Sequence, residues 1–396
     1  MTPNLPTGAA FIIKRLEDAG KRAHIVGGCV RDFLLSKTPF DYDITTDALP
    51  EEMHRIFSDI KTVDTGIKHG TLTVLFEGEP YEVTTYRVDG EYENHRKPKS
   101  VTFSDNLSSD LSRRDFTMNA ICYSDRDGFI DEFSGIEDIK NKVIRAVGEP
   151  TLRFEEDALR ILRALRFASQ LGFSIEKKTD DALFEKAHLL SSVSAERIYA
   201  EWTKLIGGKF AYEVIDKYRD IISPFLLSEP IVLPEKKKFN EAKPEIRQLS
   251  VFLLSHNDPV ASFLDFCDRM KTDSRTKREG SAALCGIDAA LLTDEDIRLA
   301  LIELGEKAVK DISALNKTCS IREAPSEDRI NNIIFSGYPL SLSELCVNGE
   351  DMKALGFFGK EIGEILKALL DLTARDKVKN EREALLRAAE KIKNGI

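Results

Sequence analysis

The spacing of apolar positions changes character along this chain. Residues 10–19 carry apolar side chains at helical intervals, which predicts a short helix ending at Gly20. His24-Ile25-Val26 reads as a strand stub. It meets Gly27-Gly28, and Val30 to Leu35 returns to helical spacing, giving strand, glycine turn, helix. A second short strand carries Asp41-Tyr42-Asp43-Ile44, and Leu49-Pro50-Glu51-Glu52 opens another helix with proline in its first turn. Thr71 to Phe76 and Tyr81 to Arg87 are rich in β-branched and aromatic residues, and the polar link 77–80 predicts a hairpin between them. Asp89 to Ser100 is polar and aperiodic and is expected to be a mobile loop.

Nearly all of the strand signal thus falls in residues 1–145, a mixed α/β unit. Beyond about residue 150 the pattern is helical, as in 155–173, 194–206 and 359–372, with Pro230 and Pro234 marking an expected joint. No repeat of fixed period is present. With 396 residues, 42% hydrophobic and 31% charged, the chain can bury more than one core. A net charge of −10 excludes a strongly basic nucleic-acid coat, but not a local basic face. The cysteines, at 29, 122, 267, 285, 319 and 346, form no CxxC pair, which counts against structural zinc and a disulfide framework. The N-terminus turns polar before a signal-peptide core is complete, and no apolar run is long enough to span a membrane. A soluble, cytoplasmic protein is expected.

Four constellations could carry chemistry. Residues two apart on a strand share a face, so Asp41 and Asp43 would stand side by side. Their repulsion favours a divalent cation, and Mg²⁺ prefers oxygen ligands. Glu82 adds a carboxylate on a neighbouring strand. The same Asp-x-Asp also fits a turn with two solvated aspartates. Gly27-Gly28, with Arg31 one turn later, lets the backbone approach a phosphate, while the absence of GxGxxG and of GKS or GKT counts against a Rossmann or P-loop site. In DLSRRDFTMNAI (110–121), Arg113 and Arg114 supply donors for a phosphate or ribose, and Asp115 is placed to orient one of them.

The fourth constellation is Asp157, Arg160, Arg163 and Arg166, recurring every three residues on one expected helix as a cationic stripe with an acidic start. A solvated face laced by ion pairs has the same spacing. Three arginines and no lysine suit planar partners better. Cytosine and adenine both present an amino donor beside a ring-nitrogen acceptor, the complement of a carboxylate beside a guanidinium; uracil and guanine present the reverse. An Asp157–Arg160 pair would therefore admit C and A and reject U and G. The histidines form no HxxxH, there is no GxSxG, and Cys29 reads as core.

Several long motifs, in order, resemble the class II CCA-adding tRNA nucleotidyltransferases and their poly(A) polymerase relatives: IVGGCVRDFLL (25–35), DYDITTDALP (41–50), YEVTTYRVDGEYENHRKP (81–98), DLSRRDFTMNAI (110–121), RFEEDALRILRALRFASQLGF (153–173) and ELCVNGEDM (344–352). Residues 230–340 match least. The resemblance implies a polymerase β-like α/β head with a mixed sheet over 1–148. A helical neck with a base-reading helix would follow over 149–230, and an elongated helical body and tail over 231–396 to hold the tRNA acceptor arm. It implies that Asp41 and Asp43 bind Mg²⁺ and that Glu82 is a third catalytic carboxylate. Gly28, Arg31 and Arg114 would contact the phosphates and sugar of the nucleotide. Asp157 and Arg160 would pair with the incoming base, followed by Arg163 and Arg166.

The expected reaction is template-independent addition of CCA to tRNA from CTP and ATP, with pyrophosphate leaving and no obligate protein partner. A loop at Asp89 to Lys99, including Arg96-Lys97, disfavours a CC-only enzyme and leaves an A-adding enzyme or a poly(A) polymerase as alternatives. A non-catalytic RNA-binding protein would need damage at Asp41, Asp43 or Arg114, and none is seen. Against the net negative charge, basic residues are expected to be gathered on one face.

Overall fold

The computed structural model describes residues 5–90, 92–93, 97–98, 100–227 and 229–394. The chain forms two compact units, Met1–Ile221 and Ile222–Ile396.

The first unit opens with α1 (Thr7–Asp18), three residues earlier than the apolar spacing suggested, and β1 (Ala23–Val26), which is buried throughout. Gly27, at φ +81, turns the chain into α2 (Gly28–Leu34). Then come β2 (Asp43–Thr46), α3 (Pro50–Ile56), β3 (Thr62–Gly66), β4 (Thr71–Phe76) and β5 (Glu79–Thr85). After the short strands β6 (Arg87–Asp89), β7 (Tyr92–Glu93), β8 (Lys97–Pro98) and β9 (Val101–Phe103) follow α4 (Leu107–Ser112), β10 (Cys122–Ser124), β11 (Gly128–Ile130), α5 (Gly135–Lys140) and β12 (Val143–Ile144). Seven strands make one sheet in the order β11-β10-β1-β2-β5-β4-β3. Only β2 and β5 pair in parallel, so the sheet is mixed, as expected. Val26, Tyr86, Leu107, Leu111, Ala120, Cys122 and Val147 form a buried cluster at its centre.

The structure corrects the sequence reading in four places. The strand expected to carry both aspartates starts only at Asp43; Asp41 lies in the approach to it. The hairpin turn is tighter than expected, only Glu77 (φ +50) and Gly78 (φ +90), and Pro80 already sits in the ladder opposite Leu75. Two left-handed residues match the twist of the flanking strands. Asp89 to Ser100, expected to be an aperiodic loop, contains paired strands instead: Asp89 opposite Val101, and Tyr92 and Glu93 opposite Pro98 and Lys97. Its residues are mostly polar and its strands only two or three residues long, too short for an alternation of apolar and polar positions to show. Arg96 lies outside the described residues.

The fourth correction concerns the arginine stripe. Asp157 stands directly after α6 (Pro150–Glu156) and outside α7 (Leu159–Leu171), the helix on which the stripe's three arginines lie. Asp157 stands at the break in extended geometry (φ −136, ψ 101), and its carboxylate accepts the Leu159 N–H at 3.1 Å. This local side-chain bond competes with helix continuation. Asp157 and Arg160 therefore do not share one helix.

The unit continues with β13 (Ser174–Ile175), paired with β12, then α8 (Lys177–Lys186), α9 (Ala195–Ile206) and α10 (Ala211–Lys217). The boundary to the second unit falls within α11 (Arg219–Leu226).

The second unit is helical among its described residues: α12 (Lys236–Glu241), α13 (Pro244–Ser255), α14 (Pro259–Met270), α15 (Ser274–Cys285), α16 (Asp294–Leu304), α17 (Glu306–Cys319), α18 (Glu327–Ile334), α19 (Gly349–Ala354), α20 (Glu361–Ala374) and α21 (Arg382–Lys393). Phe252, Phe263 and Phe266 pack ring on ring between α13 and α14. Met352, Leu369 and Leu385 centre a further core shared by α19, α20 and α21. All six cysteines are free thiols. No described helix is long and apolar enough to cross a membrane.

Candidate active site

The sheet sets the first group of residues. Val26, just before the glycine turn, is the register partner of Asp43, and the parallel pairing of Ile44 with Val83 brings Asp43 level with Glu82. Burial pushes the Asp43 carboxyl up to about 6. The charge of Asp41 and, more weakly, that of Glu82 add to this, and Arg114 opposes it. By surface area Asp43 is nonetheless exposed, so its open side faces solvent. Among the described residues, no arginine or lysine forms an ion pair with Asp41, Asp43 or Glu82.

Above the glycine turn lies Arg114. A Cβ added to Gly27 would come within 3.0 Å of its Nη1, so both the positive φ and the close approach require glycine there. Arg114 Nη2 donates to Asp110 at 3.2 Å, and Arg113 Nε donates to the same carboxylate at 3.0 Å. Burial would raise the Asp110 carboxyl, but Arg114 and Arg113 outweigh it and hold it below its ordinary value. Asp110, and not Asp115 as the sequence suggested, orients these two arginines. The signal was present: Asp110 precedes them by three and four residues, the spacing of side-chain neighbours on a helix.

Asp115 has another partner. Its carboxylate accepts from Arg163 Nε at 2.8 Å and Nη2 at 2.6 Å, from the Phe116 N–H at 2.8 Å and from Asn119 Nδ2 at 3.0 Å. Complete burial works against its charge, yet these donors bring its pKa down to about 2. Asn119 Oδ1 in turn accepts from Arg31 Nη1 at 2.8 Å. A continuous run of bonds therefore joins Arg31 beside the glycine turn to Arg163 on α7. The Phe167 ring sits among three guanidiniums, those of Arg166 (4.2 Å), Arg31 (5.0 Å) and Arg163 (5.5 Å).

The rest of the arginine stripe is also tied down. Arg160 is buried and donates to Glu156 at 2.6 Å and to the carbonyls of Arg153 (3.0 Å) and Arg113 (2.7 Å). Arg166 is 2.9 Å from Glu201 of α9, an ion pair whose N–H does not point along the contact. Asp157 is held by Arg197, also on α9, at 2.9 and 3.2 Å. The sequence reading did not single out Arg197 or Glu201. Their four-residue spacing places them on one face of α9, but only the packing of α9 on α7 brings that face to the stripe.

Comparison with known proteins gives these groups a family. Residues 23–145 match the poly A polymerase head domain, and residues 172–221 match a probable RNA and SrmB-binding site of polymerase A, so the class is that of the poly A polymerase type nucleotidyltransferases. The CCA-adding enzyme of Geobacillus kaustophilus is 37% identical over 387 residues, 95% of each chain. That of Ligilactobacillus salivarius is 36% identical over 392 residues, 96% of this chain and 95% of the relative. The crystal structure of the Bacillus stearothermophilus CCA-adding enzyme in complex with CTP superposes with a TM-score of 0.80 at 32% identity, covering 98% of this chain and 97% of that one. The Thermotoga maritima CCA-adding enzyme complexed with tRNA_CCA, at 21% identity and a TM-score of 0.68, shares the fold over 98% of this chain and 95% of its own. The chain belongs to the family of CCA-adding enzymes.

Proposed function

We propose that this protein adds CCA to the 3′ end of tRNA, taking CTP twice and ATP once and releasing pyrophosphate, with the base chosen by protein side chains. The observation that carries this reading is the pairing of opposites within one unit. Unpaired carboxylates at Asp41, Asp43 and Glu82 lie beside an arginine-rich wall whose members are fixed in place.

The donor set fits a divalent cation. Three neighbouring carboxylates with no ion-pair partner among the described residues repel one another; Arg114 offsets this at Asp43 in part, and positive charge from outside the chain would relieve the rest. Among the described residues no group of three or more His, Cys, Asp or Glu side chains is gathered into a ready cage. Two carboxylates fill only part of an octahedral shell, so a cation held by Asp41 and Asp43 would keep positions for water and phosphate oxygens, as Mg²⁺ favours. Bound there, Mg²⁺ supplies charge neutralisation at the α-phosphate and lowers the pKa of the attacking 3′-hydroxyl. The chain's own residues do the rest. The backbone at Gly27-Gly28 lets the triphosphate approach, Arg114 and Arg31 take up phosphate and ribose contacts, and Asp110 and Asn119 hold those arginines in register. Asp157 accepts from the amino group of C or A while Arg160 donates to the ring nitrogen, with Arg163 and Arg166 behind them. Residues 1–148 serve as head and 149–230 as neck. Residues 231–396 serve as body and tail, gripping the tRNA acceptor arm through its backbone and shape.

The test offers tRNAs ending before the first C, after it and after the second C, with CTP and ATP separately and together. Growth of the shortest tRNA to a finished CCA end, and no further, is the expected result. Addition of A alone, a long A tail or no addition would each overturn the reading.

A further inference from the structure

Phe40 lies on the loop between α2 and β2. Its side chain is wholly exposed (101%), against 54% for Leu152, another exposed apolar side chain of the same unit. A single apolar residue on a surface is ordinary. What sets Phe40 apart is its place. Asp41 follows it directly, and Asp43 opens β2 two residues further on. Consecutive Cα atoms stand about 3.8 Å apart, so the ring is rooted at the edge of the carboxylate corner. The segment that carries it is restrained at both ends. The Ser36 N–H donates to the Phe33 carbonyl at 2.9 Å and the Lys37 N–H to the Asp32 carbonyl at 2.8 Å, with Ser36 left-handed at φ +57. Pro39 has a fixed φ and limits Thr38 before it. Beyond Phe40, the pairing of Asp43 with Val26 holds the chain to the sheet. A bare ring on a restrained segment can meet a flat partner without first ordering a loop.

We propose that Phe40 is a positioning residue for the acceptor: the base of the 3′-terminal nucleotide of tRNA stacks on its ring, which holds the attacking hydroxyl over the cation-binding carboxylates. This rests on the proposed addition of nucleotides to tRNA. In that reaction the hydroxyl at the tRNA end must reach the cation held by Asp41 and Asp43, so the last base comes to rest within one nucleotide of residue 40. The end to be held also changes at each step: first the residue preceding CCA, then the first C, then the second. Hydrogen bonds fitted to one base would fail the others. Every base offers a π-face, and stacking on an aromatic side chain is tolerant of sequence.

The experiment measures kcat/KM for tRNA at saturating CTP, together with KM for CTP. Wild type, Phe40→Ala, Phe40→Leu and Phe40→Trp are each given a tRNA lacking CCA, with its last nucleotide either intact or abasic. With the intact end, Phe40→Ala should lower kcat/KM for tRNA roughly ten-fold, the value of one stacked base, and leave KM for CTP within about two-fold. Phe40→Leu, apolar but without a ring, should lose nearly as much, and Phe40→Trp should keep wild-type efficiency. The abasic end should cost wild type at least as much as Phe40→Ala costs the intact end, and with that end Phe40→Ala should lose nothing further. Equal ten-fold losses from Phe40→Ala with intact and abasic ends would overturn the inference, since the ring would then act on something other than the base. An unchanged kcat/KM for tRNA would overturn it as well, and so would a loss confined to KM for CTP, which would assign the ring to the incoming nucleotide. Should Phe40→Ala not fold, Phe40→Leu is judged by the same comparison. Absence of CMP addition by wild type would overturn the proposed function itself, and the role of Phe40 with it.

Discussion

The carboxylate corner and the arginine helix lie in the same unit and obey opposite electrostatic rules. At the corner, Asp41, Asp43 and Glu82 have no ion-pair partner among the described residues, Arg114 offsets their repulsion only in part, and Asp43 holds its proton up to about 6. On α7, Arg163 and Arg166 are each matched to a carboxylate on another element, and Arg160 is matched to Glu156 and two carbonyls. The corner stores an unmet demand for positive charge and the helix has met its own demand internally. Unmet charge marks where something must bind, whereas met charge marks what must not move while it binds. Substitutions should therefore have opposite signs in the two regions: at the corner they cost activity and spare stability, and beneath the helix they cost stability first.

The largest effect is expected at the corner. Asp43→Asn should lower single-turnover CMP addition a thousand-fold or more, about 4 kcal/mol of barrier, with tRNA binding at fixed salt retained. A folded variant that keeps near-wild-type addition would remove the metal assignment and the reaction class with it. The second effect belongs to the helix. Asp115→Ala leaves Arg163 buried without its partner and should destabilise the protein by about 3–5 kcal/mol, read from chemical denaturation. Loss below 1 kcal/mol would show that the buried pair is not what fixes α7.

Acid probes the same pair without mutation. The folded-state pKa of Asp115 is depressed to about 2 from an ordinary value near 4, so its contribution is complete above about pH 4 and is lost as pH falls toward 2. The loss amounts to about 2 kcal/mol, and it should be absent from Asp115→Ala. Parallel wild-type and variant stability curves below pH 4 would exclude Asp115 as the source.

These contrasts also explain how much could be read from the sequence. The strand, glycine turn and helix around Val26 to Leu34 were legible because a buried strand and a helix impose different apolar periods. Asp43 and Glu82 were legible as neighbours because a strand fixes the direction of its side chains. The ribbon at Asp89 to Val101 was hidden because its strands are two or three residues long, too short to show an alternating pattern. The break at Asp157 was hidden because the residues on both sides favour helix, and only one side-chain bond to Leu159 interrupts it. Arg197, Glu201 and Asn119 were missed for a common reason: each acts through a partner from a distant stretch of chain, and no local period encodes which distant face it will meet. Asp110 was the avoidable miss, since its partners lie one helical turn away.

The smallest expected effect separates the two regions most directly. In the absence of divalent cations, Asp43→Asn should leave the protein as stable as wild type or stabilise it by about 1 kcal/mol. The full pKa displacement would suggest more, but Asp43 is open to solvent on one side, and screening there reduces what repulsion costs. Asparagine keeps the size and removes the charge, so packing against β1 and β5 is preserved and only the repulsion from Asp41 and Glu82 is relieved. A divalent cation should reverse the order, stabilising wild type through its intact carboxylates and the variant less. Thermal unfolding of both proteins in chelator and in millimolar Mg²⁺ measures the four states. If Asp43→Asn is clearly less stable than wild type in chelator, Asp43 is satisfied by the fold, as the arginines of α7 are, and the distinction between a site that waits for charge and one that has found it does not hold.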